Sequence, residues 1–192
     1  HHIYGGSNTR GNVRETAVAM LDEINACPLV VDGIYGGGRE AYMEGKASLE
    51  MGCITEMGEI YGGSEKADVG NNVELTLTSG HFGKVFGGNN KGGRIFGSIK
   101  VNIEQTGCVP ITIDELYLGG NNAPYSVYGY TNQSYTVDID GESVTHYHLN
   151  ESGTRLYADP ELHIRSFESI GNVYGGGKGE PATMVGNPNI DI

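Results

Sequence analysis

Hydrophobic and polar residues alternate over short stretches of this chain. The segment 73–78 reads Val-Glu-Leu-Thr-Leu-Thr, and 99–104 repeats the alternation as Ile-Lys-Val-Asn-Ile-Glu. A period of two places one face of a strand in the interior and the other in solvent. Glycine and asparagine, which favour turns, separate these stretches. The pattern predicts an all-β chain in which every repeating unit supplies two or three short strands.

The second signal is a recurring phrase of an aliphatic residue, a tyrosine or phenylalanine, and a glycine pair. Successive pairs begin 31, 26, 25, 32 and 56 residues apart, and they are Gly5 and Gly6, Gly36 and Gly37, Gly62 and Gly63, Gly87 and Gly88, Gly119 and Gly120, and Gly175 and Gly176. Recurrence at about 20–50 residues is typical of stacked repeats, whereas a propeller blade needs about 40–45 residues. The spacing favours a right-handed parallel β-helix (a β-solenoid) with about six rungs of 25–31 residues.

Stacking the units predicts which side chains become neighbours. Equivalent residues on adjacent strands lie about 4.8 Å apart. We therefore expect an aromatic ladder beside the glycine corners, formed by Tyr4, Tyr35, Tyr61, Phe86 and Tyr174. The glycines would occupy corners that need a positive φ or a close backbone approach. The asparagine pairs at 71–72, 89–90 and 121–122 are predicted in turns, because asparagine tolerates the left-handed region.

Two stretches depart from this rhythm. Residues 12–25 include good helix formers, but their place in the repeat favours a strand. The stretch 125–170 is either two degenerate rungs or one rung with an extended, irregular insertion. We otherwise expect 1–192 to be a single β-solenoid domain and a fragment of a longer repeat protein, because both ends interrupt the pattern. Uncapped ends of this kind predict end-to-end self-association.

Amino-acid composition restricts the classes of molecule that this chain is expected to bind. The formal net charge is −12 with only 12 Lys and Arg residues, which argues against nucleic acid, a ligand that needs a basic surface. No apolar run is long enough to insert into a membrane, and neither a signal peptide nor an anchor is recognisable in this segment. Cys27, Cys53 and Cys108 lack metal-ligand spacing and are expected to be small buried hydrophobes.

Candidate chemistry concentrates in the irregular stretch. Exposed tyrosines combine apolar area with a hydrogen-bonding hydroxyl, and the candidates for a sugar- or peptide-binding patch are Tyr125, Tyr128, Tyr130, Tyr135 and Tyr147. Weak candidates for a metal site are Asp138, Asp140, His146 and His148. The glycine run before Lys178 lacks the pattern of a phosphate-binding loop. We expect no cofactor and no catalytic residue, because the carboxylates are spread over many rungs.

One segment resembles a known family. The run 173–180, Val-Tyr-Gly-Gly-Gly-Lys-Gly-Glu, followed by Val185-Gly186-Asn187 and an alternating strand, resembles the VYGGGN-type glycine-rich repeat surface proteins of gut anaerobic bacteria. These are adhesin-like β-solenoids, and the likeness covers most of the chain outside 125–170. It also extends loosely to polymorphic outer-membrane proteins and autotransporter passengers. The resemblance implies export and a cell-surface or extracellular location, and it carries over no catalytic residue.

These observations lead to three hypotheses. The favoured one is a non-catalytic, adhesin-like module that binds a glycan or an extracellular protein of a host. The first alternative is a purely structural stalk or spacer, for which regular rungs without a site would be enough. The least favoured is a carbohydrate-active β-helix enzyme.

Overall fold

The computed structural model describes residues 1–14, 16–18, 31–52, 54–106 and 109–192. These residues contain strands and no helix, and hence no helix that could cross a membrane. The strands are β1 (His2–Tyr4), β2 (Thr16–Val18), β3 (Gly33–Tyr35), β4 (Ala47–Met51), β5 (Ile54–Tyr61), β6 (Val73–Leu77), β7 (Gly80–Phe86), β8 (Ile99–Glu104), β9 (Thr112–Tyr117), β10 (Tyr125–Ser126), β11 (Tyr130–Ile139), β12 (Glu142–Leu149), β13 (Glu161–Ser166), β14 (Ser169–Tyr174), β15 (Met184–Val185) and β16 (Asn189–Asp191).

Most strands belong to two parallel sheets of six. Sheet one has the order β1-β3-β5-β7-β9-β14, and sheet two has the order β16-β13-β8-β6-β4-β2. Successive units place one strand in each sheet, and equivalent residues are in register, as with Tyr35 opposite Tyr61 and Leu49 opposite Leu75. A third line of contact consists of single bridges that join Val13, Met43, Val69 and Ile95.

The hydrophobic core lies between these elements. From sheet one it receives the row Ile34, Ile60, Val85 and Leu116, and from sheet two the row Leu49, Leu75, Val101 and Leu162. All of these side chains are almost fully buried. The period-two alternation of 73–77 and 99–103 is confirmed, because their aliphatic side chains are buried and the residues between them are partly exposed. Stacking therefore buries apolar faces that a single unit would leave exposed.

The aromatic ladder is confirmed and is longer than expected. Adjacent rings of Tyr4, Tyr35, Tyr61, Phe86, Tyr117 and Tyr174 are stacked with centroid distances of 4.7–5.0 Å and interplanar angles of 4–12°. The glycine pairs lie beside it in register, and Gly37 N–H donates to the carbonyl of Gly63 at 2.9 Å. Close approach explains these glycines: a Cβ atom on Gly88 would lie 2.9 Å from the backbone nitrogen of Gly120.

The asparagine pairs do not adopt the left-handed backbone conformation for which they were predicted in turns. Among the described residues the left-handed region contains one non-glycine residue, Asp140, so the pairs do not rely on positive φ. Their side chains join neighbouring units instead. The Oδ1 atom of buried Asn89 accepts from Ser64 N–H at 2.8 Å, and Asn121 Nδ2 donates to Asn90 Oδ1 at 3.1 Å. These bonds satisfy buried and partly buried polar groups at the corners.

The prediction of a single right-handed parallel β-helix is wrong, although the all-strand character is confirmed. The described residues form four separate sheets: the two sheets of six, a parallel pair of β10 and β15, and an antiparallel pair of β11 and β12. The antiparallel pair arises at Asp140 and Gly141, whose φ values of 54° and 79° are those of a tight two-residue hairpin turn. Such a turn reverses the chain, and an antiparallel pair cannot continue a parallel ladder.

The irregular stretch 125–170 thus contains the hairpin β11–β12, which spans 130–149, together with β10 and β13. The chain returns to the parallel sheets before the stretch ends, because β13 pairs with β8 and β14 pairs with β9. In the segment 12–25, Thr16–Val18 forms β2 and pairs with β4 as a strand. Residues 15 and 19–25 of that prediction, and the prediction for Cys27, Cys53 and Cys108, lie outside the described residues.

Candidate functional site

The hairpin packs against the side of three consecutive units, and a carboxylate anchors its tip. Glu142, directly after the turn, contacts Lys91 Nζ at 2.7 Å and Lys66 Nζ at 3.0 Å. The two lysines are equivalent residues of neighbouring units. Their hydrogen bonds and charges lower the pKa of Glu142 to about 2. Burial alone would lower the pKa of Lys91, but Glu142 and Glu65 raise it on balance. The anchor therefore stays ionised over the whole physiological range.

Two further side chains fix the hairpin along its length. Buried His146 donates from Nε2 to the carbonyl of Lys91 at 2.8 Å. The hydroxyl of Tyr130 accepts from Ile95 N–H at 3.1 Å and donates to the carbonyl of Pro124 at 3.2 Å. Burial raises the pKa of Tyr130 well above its usual range, so this hydroxyl stays protonated. These contacts hold the hairpin in a defined position against the repeat units.

Opposite the hairpin, three equivalent positions form a row across successive units. Tyr42, Asp68 and Arg94 each precede a residue of the bridged line formed by Met43, Val69 and Ile95. Arg94 binds both oxygens of Asp68 through its backbone N–H and guanidinium, at 2.6–3.0 Å. Its guanidinium carbon also lies 3.9 Å from the centroid of the Tyr147 ring, a cation–π contact that joins the row to the hairpin.

A cleft of about 320 Å³ lies between this row and β12. Its lining combines two tyrosines with charged and hydroxyl groups: Glu40, Tyr42, Lys66, Asp68, Thr145 and Tyr147, with Ala67 and Gly93. The Tyr42 side chain is 47% exposed, and its hydroxyl lies over Gly70, where a Cβ atom would collide with it. The cleft therefore has two aromatic walls and a polar floor, and it is open to solvent.

Charges around the cleft balance. Four cations (Arg39, Lys66, Lys91 and Arg94) face four carboxylates (Glu40, Glu65, Asp68 and Glu142), and every one has an opposite partner within 4 Å. Glu65 is the most enclosed of them, with 8% of its side chain exposed. These eight charges sum to zero, although the chain carries −12. The side chains around the cleft thus present fixed donors and acceptors without a strong net field.

The predicted tyrosines do not form one patch. Tyr125 is buried and donates to the carbonyl of Gly97 at 2.9 Å, and Tyr130 is an anchor of the hairpin. Tyr128 packs partly buried against the core, and Tyr135 packs against the rings of His146 and His148 on the other face of the hairpin. Of the five, Tyr147 alone lines the cleft.

The weak metal candidates also separate. His146 and His148 do lie on one face, as alternation requires, but His146 is engaged with Lys91 and both rings pack on Tyr135. Asp138 accepts from Gly141 N–H at 3.0 Å, which stabilises the turn that contains Asp140. Within the described residues no group of three or more His, Cys, Asp or Glu side chains is arranged to bind a metal ion.

Sequence reasoning missed most of the cleft. Tyr42, Asp68 and Arg94 stand at equivalent places in three units, so an alignment of the units would have placed them side by side. Thr145 and Tyr147 carry no such signal, because their place depends on how the hairpin docks. Comparison of the chain with protein-family models, with curated proteins and with solved structures finds no match.

Proposed function

We propose that this chain is a non-catalytic binding module and that its ligand is a neutral glycan segment held in the cleft between β12 and the Tyr42–Asp68–Arg94 row. The observation that carries this proposal is the pairing of two accessible tyrosines, Tyr42 and Tyr147, with fixed hydrogen-bonding groups. A sugar ring offers an apolar C–H face and a rim of hydroxyls. Aromatic rings contact the apolar face of the sugar, and carboxylates, ammonium groups and hydroxyls form hydrogen bonds with the sugar hydroxyls.

The dimensions and charge of the cleft support the same ligand class. The cleft volume of about 320 Å³ is at the lower end of the range for small-molecule pockets, about 300–1,000 Å³, and it suits a short glycan segment. The balanced ion pairs favour an uncharged ligand over a polyanion or a basic peptide, since either would compete with existing partners. The resemblance to glycine-rich repeat surface proteins supports a cell-surface or extracellular place for such a module.

The test begins with a glycan array and continues with titration calorimetry on the strongest neutral ligand. Tyr42→Ala should weaken binding about tenfold, which corresponds to about 1.4 kcal/mol for the lost aromatic contact. Tyr147→Ala should weaken binding at least as much, because it also removes the ring that stacks on Arg94 and helps to dock the hairpin. Tyr147→Phe keeps the ring and its stack on Arg94 and should lose much less. Phe167→Ala removes an exposed aromatic ring outside the cleft and serves as the matched control.

Unchanged affinity in both alanine variants, with native circular dichroism, would contradict the proposed site. Tyr130 is unsuitable for this test because it anchors the hairpin, and its replacement would confuse loss of fold with loss of contact.

A second candidate function is a structural spacer, and the continuous aromatic ladder favours it. Six rings stacked through two long parallel sheets make a rigid body that needs no ligand. A folded protein that binds nothing on arrays of glycans and extracellular proteins would favour the spacer.

A further inference from the structure

The cleft beside β12 has a closed end and an open end. Glu142 contacts Lys66 and Lys91, so the tip of the hairpin packs on the two units to which these lysines belong. The preceding unit contributes Glu40 and Tyr42 to the lining. The Glu40 side chain is 38% exposed and the Lys66 side chain only 19%, and Tyr42 is more exposed than either. A ligand in the cleft therefore has most room against Glu40 and Tyr42.

Two pairs of equivalent residues from adjacent units form the floor at the open end. Glu40 and Lys66 each follow the ladder tyrosine of their own unit by five residues. Tyr42 and Asp68 each follow it by seven. The backbone N–H of Lys66 donates to the carbonyl of Arg39 at 2.8 Å, which holds the two units in this register. The repeat therefore places a carboxylate beside an ammonium group, with an aromatic ring two residues further along the chain.

The Glu40 carboxylate keeps hydrogen-bonding capacity despite its two ion pairs. Both involve Oε1, which lies 3.5 Å from Lys66 Nζ and 3.6 Å from a guanidinium nitrogen of Arg39. These distances exceed the length of a charge-assisted hydrogen bond. Within the part of the chain that the structure describes, no hydrogen bond or ion pair reaches Oε2. Lys66 Nζ has three N–H donors and lies 3.0 Å from Glu142, so it also keeps a donor for a ligand.

A sugar ring with two adjacent free hydroxyls matches these groups. A hydroxyl both donates and accepts, so one hydroxyl can donate to Glu40 while its neighbour accepts from Lys66. The carboxylate and the ammonium group cancel in charge, so the pair does not require a charged ligand. The apolar face of the same ring can lie on Tyr42, two residues beyond Glu40.

We propose that Glu40 is the specificity-determining residue of the cleft and that it selects glycans whose bound ring carries two adjacent free hydroxyls. This inference rests on the neutral-glycan function proposed above and names the feature of the glycan that the cleft recognises. A ring substituted at these hydroxyls binds weakly, because an ether oxygen has no proton to donate to the Glu40 carboxylate.

Titration calorimetry with 1,4-linked trisaccharides of glucose, mannose and galactose tests the proposal, each in its free form and with methyl ethers on the 2- and 3-hydroxyls. At least one free trisaccharide should bind, and its methylated form should bind at least tenfold more weakly. Glu40→Ala should weaken binding of the free trisaccharide about tenfold, because it removes a hydrogen bond to a charged group. In this variant methylation should cost less than threefold. Glu40→Gln, which keeps one amide oxygen as an acceptor, should give an intermediate result.

Glu44→Ala is the matched control, because Glu44 is an exposed carboxylate of the same unit that lies outside the cleft and accepts from Asn12 Nδ2 at 2.9 Å. Its affinity should equal that of the unaltered protein. Equal losses in Glu40→Ala and Glu44→Ala, or an undiminished cost of methylation in Glu40→Ala, would overturn the role of Glu40. A loss of affinity in Tyr42→Ala would then leave the neutral-glycan function standing. Absence of binding to all three free trisaccharides would overturn both proposals.

Discussion

Replacing Tyr61 with alanine tests how far the aromatic ladder stabilises the fold. The Tyr61 side chain is fully buried, its ring stacks on Tyr35 and Phe86 at 4.8 Å each, and its hydroxyl donates to Glu59 at 2.7 Å. Truncation of a buried aromatic residue costs about 3–5 kcal/mol, which includes about 0.5–1.5 kcal/mol for each stacked pair. For a chain of this size each kcal/mol lowers Tm by about 2–4 °C, so the expected loss is about 10 °C.

Two control variants separate the contribution of the ring from those of the hydroxyl group and of burial. Tyr61→Phe should cost about 1 kcal/mol, because Phe86 already occupies the same row without a hydroxyl. Tyr174→Ala should cost about 1 kcal/mol, because Tyr174 is 42% exposed and stacks on Tyr117 alone among the described rings. Urea unfolding monitored by far-ultraviolet circular dichroism gives the three free energies. If Tyr61→Ala costs no more than Tyr174→Ala, the ladder does not contribute to stability as argued.

Three further predictions concern the corners and the hairpin anchor. Gly88→Ala should lower the free energy of unfolding by about 1–3 kcal/mol, because the added Cβ atom would collide with the backbone of Gly120. Gly176→Ala, at an equivalent corner, should be nearly neutral, because a Cβ atom there has nothing within 4 Å. Equal midpoints of urea unfolding for the two variants would refute this explanation. Glu142→Gln should accelerate amide hydrogen exchange in β11 and β12 while the control Glu151→Gln does not, and matching rates would contradict the anchor. Because the pKa of Glu142 is lowered from 4.5 to about 2, its stabilising contribution is complete above pH 4.5 and disappears as the pH falls through 2, which the carbon-13 shift of its carboxyl group reports.

Local pattern was sufficient for the strands and for most of the ladder. Alternation in 73–77 identified which side chains enter the core, and the position before each glycine pair identified the stacked rings. The predicted ladder lacks Tyr117, because Leu118 separates this residue from its glycine pair. In the structure Leu118 is buried in the core, and Tyr117 keeps its register opposite Phe86. One inserted residue therefore shifted the glycines without shifting the ring.

The hairpin shows where local pattern is sufficient and where it is not. Asp140 and Gly141 between alternating residues indicate a turn at the end of a strand, with cation binding as the weaker alternative, and the structure has a tight hairpin turn there. The place where the hairpin docks has no local signal at all. It is fixed by Glu142 reaching Lys66 and Lys91, residues distant in sequence, and by Tyr147 stacking on Arg94. The cleft exists only because these long-range contacts form.

The most direct test of the central claim is to map the binding site of a neutral glycan by NMR, using amide shift perturbations of the folded protein. We expect the largest perturbations at Asp68, Gly93, Thr145 and Tyr147, where both the hairpin and the repeat units line the cleft. Perturbations confined to Tyr135 and His148, on the other face of the hairpin, would place the ligand elsewhere and contradict the proposed binding site.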